Sequence, residues 1–179
     1  GYVTTSRAWK DALAKDGAAG RSGGVYLDRT QRRALLKHAS AEIHPFLEAL
    51  TMLPVRPGAL AALTAGDFDK RTSVLHIAED KAHGNRRIKL QGKAAAFFTK
   101  QVRNKLPAAL MFTNTRGTAW DRDSWSHQFR NAADLAKIPA EASTYDLRHS
   151  GITDLVTAGV PTITVATWAG TSVALFEAN

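Results

Sequence analysis

Cysteine is absent from this chain of 179 residues, and acidic residues are fewer than basic ones, 16 against 24. Without cysteine the protein can form no disulfide, no thiolate nucleophile and no cysteine-based zinc site. Its six histidines never occur in the His-Glu-x-x-His spacing of zinc hydrolases. The sequence therefore indicates no metal and no other cofactor.

Long apolar runs are also missing. No stretch approaches the roughly 18 apolar residues of a membrane-spanning helix. The amino terminus lacks the charged, apolar and cleavage regions of a signal peptide. We therefore expect a soluble, cytoplasmic protein that has no membrane partner.

Acidic residues are missing altogether between positions 81 and 120. The same stretch contains nine basic residues, namely Lys81, Arg86, Arg87, Lys89, Lys93, Lys100, Arg103, Lys105 and Arg116. The rest of the chain is close to neutral, so these cations account for the net charge of +8. Such a distribution predicts a surface that follows a polyanion, nucleic acid above all. The plainer interpretation is a solvated basic face.

Length and composition favour one folded domain. A chain of 179 residues that is 44% hydrophobic can form one core that buries roughly 70% of its unfolded surface. Residues 1–27 contain two glycine-rich clusters and are predicted to be a flexible connector that follows an earlier segment. Residues 28–179 are then the domain itself.

Helical spacing of apolar residues dominates this domain. Asp28 and Gln31 predict a capping box that opens a first helix, and later helices are predicted around 43–53, 57–63, 94–102, 125–136 and 146–158. Residues 73–77 and 86–90 flank a Gly-Asn turn, which predicts a hairpin. The run 110–112 could add a strand, and we interpret the ambiguous segment 161–169 as a helix. The predicted fold class is mainly α with a small antiparallel β-sheet (α+β).

Two arginines occur in settings that suit phosphate chemistry. Arg56 lies between two predicted helices, directly before Pro57, and Arg148 lies near the start of a later helix. A guanidinium group can bind two non-bridging phosphate oxygens at once. Lys81, near the tip of the predicted hairpin, can reach a leaving oxygen and deliver a proton. Each residue alone has a plainer interpretation, as a capping arginine or a solvated lysine, but together they predict a site that holds and cuts a phosphodiester.

The order of four motifs resembles that of the tyrosine recombinases. The chain has R-P-G-x-L at Arg56, a hairpin lysine at Lys81, D-L-R-H-S at Arg148 and A-G-T-S-V at Thr171. From about Thr30 to the end, it is similar to the catalytic domain of a phage integrase. The resemblance implies a tyrosine recombinase fold and site-specific recombination or integration of double-stranded DNA.

The same resemblance implies roles for the site residues. Arg56 and Arg148 would bind the scissile phosphate, and Lys81 would protonate the departing 5′ oxygen. The family's tyrosine nucleophile forms a 3′-phosphotyrosyl link, so no cofactor is required. It is expected about nine residues after Thr171, one residue beyond Asn179, so we expect this chain to bind DNA without cleaving it.

The resemblance extends to assembly and location. It implies tetramers on paired sites for a full-length protein that has an amino-terminal DNA-binding domain, a monomer for the isolated chain, and association with the nucleoid. Phosphate or groove contacts are predicted in and after the hairpin, at His83, Arg86, Arg87, Lys89 and Lys93.

Two site positions depart from the family pattern. Tyr145 stands where the family usually has a histidine three residues before its second arginine, and Thr171 stands where it has histidine or tryptophan. A phenol with a pKa near 10 is a poor base at neutral pH, although it can hydrogen-bond a phosphate oxygen. We interpret the chain as a variant subgroup in which Tyr145 and Thr171 belong to the catalytic set.

Two binding-only alternatives remain. One is a degenerate recombinase that binds DNA and cuts nothing. The other is a helix-turn-helix module, because residues 165–172 resemble the turn of some repressors. Its recognition helix would be 172–179, which contains no lysine or arginine and is poorly suited to the major groove.

Overall fold

The structure is a computed structural model that describes residues 24–78 and 85–171. Lys81 and His83, and the possible recognition helix 172–179, therefore lie outside the described residues. The elements follow in the order α1 (Arg29–His38), α2 (His44–Met52), α3 (Pro57–Ala61), β1 (Phe68–Asp69), β2 (Val74–Ile77), β3 (Arg86–Lys89), α4 (Gly92–Gln101), α5 (Arg122–Leu135), α6 (Thr144–Thr157) and α7 (Thr162–Ala169).

Local capping defines where α1 begins. The Asp28 carboxylate accepts a hydrogen bond from the Gln31 amide at 2.8 Å, and the Gln31 side chain accepts one from the Asp28 amide at 2.9 Å. The predicted capping box is thus confirmed.

A three-stranded antiparallel sheet has the order β1-β2-β3. Leu75 lies opposite Ile88 in the β2–β3 pair, which confirms the predicted hairpin. Leu110 forms only an isolated bridge with Thr64, so the run 110–112 is not a strand. Lys105 donates through its ammonium group to the carbonyls of Leu110 and Met111.

The core holds α6 against the rest of the domain. Phe46 of α2 lies with its ring centroid 5.8 to 6.1 Å from the rings of three other core aromatics, namely Phe112, Trp120 and Trp125. Helix α2 packs against α6, whose Leu147 is fully buried in this core. A smaller cluster of Ile152, Val165 and Ala169 joins α6 to α7. The packing thereby fixes α6 and the end of α7 relative to each other.

The last residues of the predicted connector belong to the folded domain. Leu27 is fully buried, and its amide donates to Ser150 Oγ at 2.8 Å. The Val25 amide donates to Asp146 Oδ1 at 2.7 Å. The predicted boundary after residue 27 is therefore too late, because the apolar residues that follow the glycine clusters pack against α6.

The amino-terminal segment is also tied to α6 by charge. Arg32 of α1 forms an ion pair with Asp154 of α6, and the Tyr26 hydroxyl donates to the same carboxylate at 2.7 Å. Burial raises the pKa of Asp154, but hydrogen bonds from Arg32 and Tyr26 outweigh burial and bring its pKa below the usual value. The pKa of Tyr26 is raised, chiefly by the same hydrogen bond.

None of the helices in the described part of the chain is long and apolar enough to cross a membrane. In the same ranges, no group of three acidic or histidine side chains is placed to hold a metal ion.

Candidate functional site

Both arginines singled out by the sequence reach the turn that follows α7. Arg56 Nη1 donates to the Gly170 carbonyl at 3.0 Å, and Arg148 Nη1 donates to the Ala169 carbonyl at 2.6 Å. Consecutive Cα atoms are about 3.8 Å apart, so these two nitrogens lie within about 10 Å of each other. Folding thus brings Arg56 and Arg148 together, as predicted.

Arg148 is held from two sides. Its side chain is almost completely buried, with 2% exposed, and Nη1 makes a second hydrogen bond to the Pro54 carbonyl at 2.7 Å. Because Pro54 lies two residues before Arg56, Arg148 also contacts the segment that carries the other arginine. Two carbonyl acceptors fix the plane of this guanidinium group, which a flexible ammonium could not match.

Arg56 lies at the predicted helix junction. It is the N-cap residue of α3 in an extended conformation (φ −69°, ψ 140°), and Pro57 occupies the first turn of the helix. Proline favours this place because its ring presets a helical φ and it has no amide hydrogen to satisfy. The Arg56 side chain is half-buried, so it can be held by Gly170 and still reach solvent.

The carboxyl end of α7 explains why two like charges can be buried here. The last carbonyls of a helix have no partner within the helix and carry about half a negative elementary charge. Ala169 is the last residue of α7 and Gly170 is its C-cap. The helix end therefore offsets part of the repulsion between the two guanidinium groups, and a phosphate that binds beside them would offset more.

Tyr145 and Thr171 lie beside the two arginines along the chain. Tyr145 is half-buried and precedes Arg148 by three residues on α6, a spacing that puts both on one helix face. Thr171 directly follows Gly170, is 8% exposed, and donates its amide to the Ala166 carbonyl at 3.1 Å. Both departures from the family pattern therefore adjoin the arginine cluster.

Arg86 lies on the inner face of the sheet, contrary to its prediction as a surface DNA contact. Strand β3 alternates buried and exposed residues, which turns Arg86 and Ile88 inward and Arg87 and Lys89 outward. Arg86 is only 6% exposed. The sequence reasoning grouped the basic residues by charge alone and ignored the two-residue period of a strand. Arg87, Lys89 and also Lys93 at the start of α4 remain exposed.

Arg86 instead packs on Gly170. A Cβ atom built on Gly170 would lie 1.0 Å from Arg86 Nη1 and 2.3 Å from Arg86 Cζ. The guanidinium group occupies the space that a side chain at position 170 would need. Three arginines therefore meet at one turn, and sequence reasoning identified two of them. The alternation of Arg86 with the apolar Ile88 in β3 was the available signal that the third points inward.

Asp146 has a structural role at the start of α6. Its carboxylate accepts hydrogen bonds from the Ser143 amide at 2.7 Å and the Ser143 hydroxyl at 2.8 Å, which caps the start of α6. The Val25 amide donates to its other oxygen. Asp146 thus fixes the helix that presents Arg148, and it takes no place among the arginines.

Solved structures share this fold. The chain resembles XerA recombinase with a TM-score of 0.70 and 18% identity, over 85% of this chain and 59% of that one. It resembles the Tn1549 transposon integrase in complex with transposon right end DNA with a TM-score of 0.75 and 17% identity, over 93% and 65%. It resembles the catalytic domain of bacteriophage HP1 integrase with a TM-score of 0.65 and 14% identity, over 87% of this chain and 86% of that one.

These likenesses differ in what they cover. The chain spans about three fifths of the XerA and Tn1549 structures but most of the HP1 catalytic domain. A search of curated proteins found no match. The model of the phage integrase family matches residues 26–172, which include both arginines and the turn that they share. The chain therefore belongs to the phage integrase family, that of the tyrosine recombinases.

Proposed function

We propose that this chain is the catalytic domain of a site-specific DNA recombinase that works through a 3′-phosphotyrosyl intermediate. The observation that carries the proposal is the convergence of Arg56 and Arg148 on consecutive carbonyls at the end of α7. A phosphodiester under attack carries developing charge on its two non-bridging oxygens. Two fixed guanidinium groups that do not reorganise can stabilise that charge.

In the proposed reaction a tyrosine oxygen attacks phosphorus while its hydroxyl proton passes to water, and the bond from phosphorus to the 5′ oxygen breaks. Lys81 gives its proton to the departing oxygen. The phosphotyrosyl bond retains the energy of the phosphodiester, so the released 5′ hydroxyl of a partner strand can reverse the step without a metal or a nucleotide. Loss of either arginine should cost about 3 to 4 kcal/mol of transition-state stabilisation.

Tyr145 and Thr171 supply hydrogen bonds to phosphate oxygens in this proposal. Their hydroxyl groups replace the imidazole or indole donors of the family pattern. The nucleophile is a tyrosine placed about nine residues after Thr171 in the family pattern. Residues 172–179 contain no tyrosine, so the proposal assigns DNA binding to this chain and cleavage to a protein that includes that tyrosine.

Double-stranded DNA is the proposed partner. The Tn1549 integrase structure is a complex with transposon right end DNA, and the exposed cations at Arg87, Lys89 and Lys93 would contact the phosphate backbone here. Lys81 and His83 complete the proposed contact surface. Action on DNA implies a place at the nucleoid, with tetramers on paired sites for the full-length protein and a monomer for the isolated chain.

A degenerate, binding-only recombinase is the second candidate, because Tyr145 and Thr171 replace the usual donors. The helix-turn-helix alternative is less well supported: Val165 and Ala169 of α7 pack into the cluster with Ile152, and the end of α7 receives two arginines. Cleavage therefore separates the two main candidates.

The binding test uses the 179-residue chain and duplex DNA over a series of salt concentrations. If about five cations contact phosphates, log affinity should fall against log salt with a slope of about −4.5. Arg87→Gln should reduce the slope by about 1. Arg33→Gln, an exposed arginine of α1, is the matched control and should leave it unchanged. A flat salt response would refute DNA binding.

The cleavage test uses a protein that includes the tyrosine and a nicked duplex substrate. We expect a covalent protein–DNA complex that survives denaturing electrophoresis. Arg56→Gln and Arg148→Gln should each slow its formation by about two to three orders of magnitude. Binding without any covalent complex would support the degenerate candidate instead.

A further inference from the structure

The third arginine at the turn has no place in the proposed chemistry, yet the contact that it makes is close. Arg86 is 6% exposed, and its guanidinium group occupies the space in which a Cβ of residue 170 would lie. Gly170 has a left-handed conformation (φ 64°, ψ 54°), so the turn needs glycine for its backbone as well as for this contact. The carbonyl that precedes Gly170, that of Ala169, accepts a hydrogen bond from Arg148, and the carbonyl of Gly170 itself accepts one from Arg56.

We propose that Arg86 is a positioning residue for the recombination reaction: it holds the turn 169–171 in place and thereby sets the orientation of Arg56 and Arg148 around the phosphate. This inference rests on the proposed function. Arg86 is too deeply buried to contact DNA in the way that its exposed neighbour Arg87 can. It acts through Gly170, and phosphate contact belongs to the other two arginines.

The contact between Arg86 and Gly170 also links the β2–β3 hairpin to the turn after α7. Arg86 is the first residue of β3 and pairs with Ile77, the last residue of β2. This pair forms the base of the hairpin, and Lys81 lies between its two members in the sequence. Helix α7 packs against β3. Arg86 therefore anchors the hairpin that carries Lys81 to the turn that orients the two phosphate-binding arginines.

Electrostatics favours an arginine at this position over an apolar residue of the same length. The turn lies at the negative end of α7, where a cation is stabilised. A third positive charge also raises the potential of the pocket, which strengthens its attraction for a phosphate without requiring direct contact. Replacement of Arg86 should therefore weaken phosphate binding through both the orientation of Arg56 and Arg148 and the charge of the pocket, whereas replacement of the exposed Arg33 of α1 should change neither.

The test measures the Nε–Hε resonances of Arg56 and Arg148 in the 179-residue chain while inorganic phosphate is added. In the unaltered chain we expect both resonances to shift with phosphate. Arg86→Met should move both resonances before phosphate is added and weaken phosphate binding by about five- to tenfold. Arg86→Lys keeps the charge and should recover the affinity to within about threefold, while the resonances stay displaced. Arg33→Met, at an exposed arginine of α1, is the matched control and should change neither measurement.

The outcomes separate this inference from the function on which it rests. If Arg86→Met leaves both resonances and the phosphate affinity as they are in Arg33→Met, the positioning role is wrong. If Arg86→Met does not fold, Arg86→Lys decides, because unchanged resonances in that variant would equally overturn the inference. If the unaltered chain shows no response of Arg56 and Arg148 to phosphate, the proposed function itself fails.

Discussion

Replacement of Gly170 by alanine measures how closely the turn after α7 depends on Arg86. Two costs add. At φ 64° the left-handed conformation costs a residue with a Cβ about 1 to 2 kcal/mol. The new Cβ would also lie 1.0 Å from Arg86 Nη1, so the guanidinium group must move, and overpacking of this kind costs about 1 to 3 kcal/mol. Gly170→Ala should therefore lower the free energy of unfolding by about 2 to 5 kcal/mol.

Gly159 provides the matched control for the first cost. It follows α6 with a φ of 82°, and a Cβ built on it meets no atom within 4 Å. Gly159→Ala should therefore lower the free energy of unfolding only by the cost of the left-handed backbone conformation, about 1 to 2 kcal/mol. Urea unfolding followed by circular dichroism, at one pH and one salt concentration, compares both variants with the unaltered chain.

The double variant Arg86→Ala with Gly170→Ala isolates the contact itself. Removal of the guanidinium group makes room for the new Cβ. The free energy of unfolding lost by the two single variants together should therefore exceed the loss in the double variant by about 0.5 to 3 kcal/mol. The reasoning is refuted if Gly170→Ala and Gly159→Ala destabilise equally, or if the double variant is simply additive. Either result would mean that Arg86 does not lie against Gly170.

Three further predictions concern the elements that support the site. Because the pKa of Asp154 is lowered in the folded chain, its contribution to stability is present above about pH 4 and lost as pH falls through the folded pKa. Arg32→Met should reduce this acid-dependent part in unfolding measured from pH 6 to pH 2, while the Tyr26 hydroxyl still donates to the carboxylate. Arg130 donates to carbonyls in 138–142, so Arg130→Met should cost about 1 to 3 kcal/mol and speed amide exchange in that loop, whereas the exposed Arg122→Met should do neither. Ser150→Ala leaves the buried Leu27 amide without its acceptor and should cost about 1 to 3 kcal/mol, with faster exchange at that amide; unchanged exchange would contradict the assigned contact.

Local patterns predicted the elements that depend on near neighbours. The capping box at Asp28, the β2–β3 hairpin and α7 all follow from residues within a few positions of one another, and the structure confirms them. The convergence of Arg56 and Arg148 was predictable for a different reason. It came from a resemblance to a family, since no local rule links positions so far apart in the chain.

The predictions that failed required knowledge of tertiary contacts. Burial of Leu27 depends on a surface of α6 that the chain forms more than a hundred residues later. The run 110–112 has strand-like composition, but Lys105 occupies two of its carbonyls. Arg86 is a different case: the two-residue period of β3 already groups it with the apolar Ile88, but only the tertiary structure reveals that the turn at Gly170 packs on that face.

The amides of Val25 and Leu27 donate hydrogen bonds to Asp146 and Ser150 of α6, which lie on either side of Arg148 along the helix. Any rotation of α6 about its own axis would have to stretch or break these two hydrogen bonds. Residues 24–27 therefore restrain the direction in which Arg148 leaves the helix, as well as the position of the helix itself.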